Sequence, residues 1–100
     1  MPARTGAEYI KGLQERPPEV YLNGEKVKDV TSHPGLRNGV HTMAKLLDMQ
    51  HDAKLKADMT YQSPTTGDPV GLSFLTPRTH KDLERRRVMM YHWAKATCGM

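Results

Sequence analysis

One hundred residues with 15 Lys and Arg against 11 Asp and Glu make a basic chain of formal net charge +4. Hydrophobic residues make up 37%, an apolar share that permits one domain with a modest core and excludes a large multidomain body. A single cysteine excludes an intrachain disulfide framework and a cysteine-rich zinc cluster.

No apolar run approaches the roughly 18 residues of a membrane span and no signal-peptide pattern opens the chain, so a soluble, cytoplasmic protein is expected. The first predicted element is a helix over about 6–15. Thr5 caps it, Glu8 three residues on completes a capping-box pattern, and Ala7, Ile10, Leu13 and Gln14 recur at helical spacing. Pro17 and Pro18 end it, because neither donates a backbone hydrogen bond. A hairpin is expected over about 19–28, where two strand-prone runs flank Asn23-Gly24, the pair that a type I′ turn favours. A lone two-stranded ribbon is marginal in water, so Val20, Leu22 and Val27 must pack on neighbouring helices.

A second helix is expected over about 33–51, capped by Thr31 or Ser32 with Pro34 in its first turn. Leu36, Val40, Met43 and Leu47 make its apolar stripe. Residues 54–58 read as a polar connector. A second hairpin is expected over about 59–75, from Met59-Thr60-Tyr61 and a strand through Val70–Leu75, around a loop rich in Pro, Gly and Asp.

The last predicted helix covers about 79–98, from Thr79 as cap to Gly99 as left-handed terminator. Leu83, Met90, Ala94 and Thr97 share one face with Trp93 on its flank, while Val88, Met89 and Tyr91 fall off it. Apolar groups nearly all round require burial on more than one side. The chain therefore reads as an incomplete N-terminal helical domain of something larger. The fold class is mainly α with two short β-hairpins.

Chemical motifs are sparse. Five histidines, His33, His41, His51, His80 and His92, show no i, i+4 pair within a helix and no HExxH, so no metal site is expected. Arg85-Arg86-Arg87 suggests a phosphate patch. Three consecutive helical residues fan over about 200°, however, so no flat basic face results. Arg86 and Arg87 flank the apolar stripe, Arg85 points away, and Glu84 stands ready to pair. Cys98 has no base within reach and reads as a packing residue. No residue is assigned a catalytic, cofactor-binding, substrate-binding or metal-binding role.

Several segments together carry a resemblance. They are Arg4–Ile10 (RTGAEYI), Val20–Thr31 (VYLNGEKVKDVT), His33–Asn38 (HPGLRN), Leu46–Asp52 (LLDMQHD) and the Trp93…Cys98-Gly99-Met100 end. The chain resembles, over nearly its whole length, the N-terminus of the 4-hydroxyphenylacetate 3-monooxygenase oxygenase family. The resemblance implies the N-terminal helical part of a fold like that of acyl-CoA dehydrogenases. It also implies an enzyme of longer chain that takes reduced FAD from a separate flavin reductase component. With oxygen, such an enzyme puts one oxygen atom on the carbon ortho to a phenol hydroxyl, as in 4-hydroxyphenylacetate. Homo-oligomers, no nucleic acid and no membrane partner are implied too. The family's Arg-bearing substrate loop and its flavin-binding residues have no counterpart in these hundred residues, so the chain alone is expected to be inactive.

Two alternatives stand beside this reading. One is the 4-hydroxybutyryl-CoA dehydratase branch, whose iron–sulphur cluster needs three Cys and one His, whereas only Cys98 is present. The other is a non-enzymatic basic helical module that binds nucleic acid or protein, which needs its cations on one surface.

Overall fold

The computed structural model describes residues 2–99. The first helix, α1 (Gly6–Glu15), is closed at its start by the reciprocal pair the sequence suggests. The Glu8 backbone N–H donates to Thr5 Oγ1 at 3.1 Å, and the Thr5 N–H donates to Glu8 Oε1 at 3.3 Å. The hairpin follows as β1 (Val20–Leu22) and β2 (Glu25–Val27), with Val20 opposite Val27 and Leu22 opposite Glu25. Asn23 and Gly24 take φ of 54° and 81°, the two positive values a type I′ turn requires.

Helix α2 (Arg37–Asp48) begins later than the sequence suggests and has no side-chain cap. The reason lies upstream. Asp29 Oδ1 accepts from the Thr31 N–H at 2.9 Å and the Thr31 hydroxyl at 2.6 Å, and the His33 N–H donates to the Asp29 carbonyl. Residues 29–36 are thereby drawn into successive turns, so neither Thr31 nor Ser32 caps the helix. The inward stripe shifts as well. Val40 and Ala44 are buried, whereas Met43, assigned to the core by spacing, is 45% exposed. Glycine is needed at position 6 because α1 approaches α2 closely: a Cβ on Gly6 would lie 2.5 Å from the Ala44 carbonyl oxygen. Asp48 fixes the crossing, its Oδ1 accepting from the Gly6 N–H at 2.7 Å.

A 3-10 turn (Met49–His51) ends α2. The expected polar connector holds a one-turn helix, α3 (Lys56–Met59), whose Met59 is fully buried. The second hairpin pairs β3 (Thr60–Gln62) with β4 (Pro69–Gly71), Tyr61 opposite Val70. The strand expected to run to Leu75 stops at Gly71, and a 3-10 turn (Leu72–Phe74) replaces it. In that turn Leu72 lies inward at 1% exposure.

Helix α4 (His80–Thr97) closes the chain; Thr79 accepts from the Asp82 N–H, and the C-cap is Cys98 at φ 57°. Its inward face corrects the sequence reading. The buried residue is Met89, with Arg86, Trp93 and Thr97 half-buried along the same row. Leu83 and Met90, which share the apolar face read from the sequence, are exposed. Two small cores result. Val27, Val30 and Val40 form one with Ile10, Leu13 and Leu22; Met59, Leu72 and Met89 form the other with Leu55, Leu75 and Trp93. The body measures 47 × 30 × 25 Å with a radius of gyration of 15.6 Å, against about 13 Å for a compact hundred-residue domain. No described helix is long and apolar enough to cross a membrane.

Candidate functional site

The three consecutive arginines are the first place where charge meets structure. Arg85 Nη2 donates to the Thr60 carbonyl at 3.3 Å, and Arg86 Nη1 donates to the Leu75 carbonyl at 2.8 Å. Arg85 therefore does not point away; it reaches β3. Arg86 holds the end of the 3-10 turn. Only Arg87 makes the expected pair, with Glu84 Oε2 at 3.0 Å. Two of the three guanidinium groups thus clamp α4, one onto β3 and one onto the end of the 3-10 turn, and no phosphate-binding face is formed.

The histidines are dispersed among separate local tasks. His33 Nδ1 accepts from the Gly35 N–H at 3.0 Å. His92 Nε2 meets Asp58 Oδ2 at 3.1 Å and ties α4 to α3. His51, with its proton on Nε2, donates to the Ala3 carbonyl at 3.0 Å. Among the described residues no group of three or more His, Cys, Asp or Glu side chains is placed to hold a metal ion. Cys98 is exposed at the left-handed cap rather than packed. The Trp93 indole N–H is buried with no hydrogen-bond partner among the described residues.

The concave feature of most interest lies beside the N-terminal arm. The Ala3 N–H donates to the Pro69 carbonyl at 2.8 Å, which lays the arm along β4, and His51 holds its other side. Between the arm, the end of α2 and the second hairpin opens a cleft of about 410 Å³. Leu47, Val70 and Phe74 give it apolar walls; Arg4, Gln50 and Ser63 give it polar ones. Gln50 is only 6% exposed. Phe74, by contrast, is 76% exposed. Sequence reasoning assigned neither residue a role. Phe74 sat in an expected strand, and a glutamine in a helical run looks like solvated surface.

Residues 5–100 match the family described as 4-hydroxyphenylacetate 3-hydroxylase N terminal. The chain belongs to that family. The oxygenase component of 4-hydroxyphenylacetate 3-monooxygenase from Geobacillus sp. is 48% identical over 100 residues, all of this chain and 20% of that protein. The crystal structure of such an oxygenase component complexed with FAD and 4-hydroxyphenylacetate superposes with a TM-score of 0.85 at 49% identity. It covers 92% of this chain, which corresponds to 19% of that one. An archaeal 4-hydroxybutyryl-CoA dehydratase from N. maritimus superposes with a TM-score of 0.80 at 28% identity, over 93% of this chain and 18% of that one. The fold is therefore the N-terminal helical part of an acyl-CoA-dehydrogenase-like architecture. The chain spans about one fifth of the relatives it matches.

The described residues do not themselves fit a flavin. Arg85 and Arg86 are committed to carbonyl oxygens and Arg87 to Glu84. The arm cleft is open and offers one exposed cation, Arg4.

Proposed function

We propose that this chain is the N-terminal part of the oxygenase component of a two-component flavin-dependent monooxygenase that ortho-hydroxylates a phenol such as 4-hydroxyphenylacetate. The observation that carries the reading is the superposition on an oxygenase complexed with FAD and that phenol, at 49% identity across 92% of the chain. Reduced FAD, delivered by a flavin reductase component and held by residues beyond these hundred, supplies the oxygen chemistry. The working enzyme is a cytoplasmic homo-oligomer in this proposal, and the isolated chain is inactive.

The part these residues play is positional. Oxygen transfer from a reduced flavin competes with its uncoupled reaction in water, so the site must be dry and the phenol must be aimed. Arg85 and Arg86 fix α4 against β3 and the end of the 3-10 turn. The half-buried Trp93 and the exposed Met90 and Tyr91 then offer an apolar surface for enclosing polypeptide. Such a rigid mount orients the enclosing polypeptide without touching the substrate.

The test is a hybrid enzyme in which these residues replace the matching stretch of the Geobacillus relative. Supplied with reductase, NADH, FAD and 4-hydroxyphenylacetate under ¹⁸O₂, it is expected to yield the catechol carrying one ¹⁸O. A folded hybrid that binds FAD yet forms no catechol would sink the reading. Stoichiometric iron and sulphide in it would favour the dehydratase branch, whose lower identity of 28% now counts against it.

A further inference from the structure

We propose that Asn23 is a site of spontaneous deamidation, and that of the chain's two Asn-Gly pairs the fold leaves this one reactive and shields the other. The chain contains two asparagines, Asn23 and Asn38, and a glycine follows each. The product at Asn23 is a mixture of aspartate and isoaspartate, and the isoaspartate loosens the first hairpin from its core. This chemistry belongs to the hundred residues themselves, whatever reaction the longer enzyme performs.

Both pairs react by the same route where their backbone permits it. The glycine main-chain nitrogen gives up its proton to solvent and bonds to the asparagine Cγ. The carboxamide nitrogen takes up a proton and leaves as ammonia, and a succinimide ring remains. Water then adds to one of the two ring carbonyl carbons and opens the ring to aspartate or isoaspartate. One water is consumed and one ammonia released. Glycine favours the attack because it has no Cβ to crowd the nitrogen and tolerates the backbone angles of the ring. Closure also demands rotation about the asparagine Cα–C bond until the next nitrogen faces Cγ, and a backbone braced against that rotation resists it.

Exposure does not separate the two pairs, for Asn23, Gly24, Asn38 and Gly39 all face solvent. The backbone does. Asn38 lies in the first turn of α2, where Arg37 and Val40, on either side of the pair, donate their N–H groups to the His33 and Leu36 carbonyls at 2.8 and 3.1 Å. The Asn38 carbonyl accepts from Thr42 Oγ1 at 2.9 Å, and Val40 is anchored in the first core. Turning the Asn38–Gly39 peptide therefore unwinds the start of a packed helix. Asn23 and Gly24 instead form the tip of a ribbon with three residue pairs, Val20–Val27, Tyr21–Lys26 and Leu22–Glu25, a structure that is marginal alone. Opening that tip disturbs the terminal Leu22–Glu25 pair first, and such local openings cost less than disrupting packed elements. Isoaspartate adds one carbon to the main chain, so a two-residue type I′ turn no longer joins Leu22 to Glu25 in register. Val27, 5% exposed and packed with Val30 and Val40, is the core residue which that register places.

Ageing of the full hundred-residue chain in ¹⁸O-labelled water at mildly alkaline pH, followed by proteolysis and mass spectrometry, tests this. Asn23 is expected to convert to aspartate and isoaspartate carrying ¹⁸O. Asn38 is expected to convert at least about tenfold more slowly, because reaction through an opened state follows the cost of opening. In concentrated urea the two should convert at similar rates. Equal loss from both without urea, or faster loss from Asn38, overturns the proposal. The same preference for Asn23 persisting in urea also overturns it, since the selection would then lie in the sequence and not in the fold. Amide exchange at Val27 reads the consequence. Isoaspartate in place of Asn23 is expected to speed it, whereas Asn23→Asp, which adds the charge without the extra main-chain carbon, should leave it near the parent. Unchanged exchange in the purified isoaspartate form overturns the loosening of the hairpin.

Discussion

Single residues decide how closely the two halves of this small body approach. Gly6 carries no side chain because the Ala44 carbonyl would lie 2.5 Å from its Cβ, and the obstacle is backbone, which cannot swing aside. Gly6→Ala is therefore expected to destabilise by about 1–3 kcal/mol, as overpacking does, read as a lower urea midpoint at unchanged slope. Asp29 acts at the same scale. The Thr31 hydroxyl, and then its backbone N–H, hold the Asp29 carboxyl below the usual aspartate range. The folded state thus binds that proton less readily than the unfolded chain. The resulting stability is present above the ordinary aspartate pKa and is lost as pH falls through the lowered folded value. Asp29→Asn should accordingly flatten the acid limb of the stability curve while leaving its shape near neutral pH unchanged; an acid limb identical to the parent's would contradict the assignment.

At the scale of elements, α4 is held by polar clamps as much as by its apolar row. Arg86 is half-buried and donates to a main-chain carbonyl at 2.8 Å, whereas Arg87 and Glu84 pair at the exposed surface. Hydrogen bonds from charged donors contribute about 1.5–3 kcal/mol, and exposed ion pairs typically under about 1 kcal/mol. Arg86→Ala should therefore speed amide exchange along α4 and lower the melting temperature clearly, with Arg87→Ala close to the parent. Equal effects of the two substitutions would refute the clamp. This is also where periodicity misled. Leu83 and Met90 are the more apolar choice, but the helix turns Arg86, Met89 and Trp93 inward. It does so because the Thr60 and Leu75 carbonyls await the arginines, and a hydrophobic pattern contains no information about distant acceptors.

Across the whole molecule, two modest cores share one elongated body, and several large apolar side chains stay uncovered. Tyr91 is 60% exposed, and Leu83, Met90 and Phe74 are exposed too. Burial on this scale leaves little margin over conformational entropy. The isolated chain is expected to self-associate at micromolar concentration and to melt broadly. Replacing Leu83, Met90 and Tyr91 with Ser, Lys and Ser should make it more monomeric in sedimentation velocity. A sharp, reversible transition from a parent monomer would show that these hundred residues suffice for themselves.

Local chemistry written in consecutive residues was legible without coordinates. Thr5 with Glu8, Asn23 with Gly24 and Thr79 with Asp82 each encode a cap or turn within four residues, and backbone geometry answers such signals almost independently of context. The family likeness was legible for a similar reason, since it lives in ordered runs such as RTGAEYI and HPGLRN. Only the tertiary structure decided the relations between distant residues. These include Ala44 rather than Met43 on the buried face of α2, a 3-10 turn instead of a strand at Leu72, and the inward arginines of α4. Each depends on where a carbonyl, a neighbouring backbone or an empty space stands in three dimensions, and no spacing along one dimension encodes that.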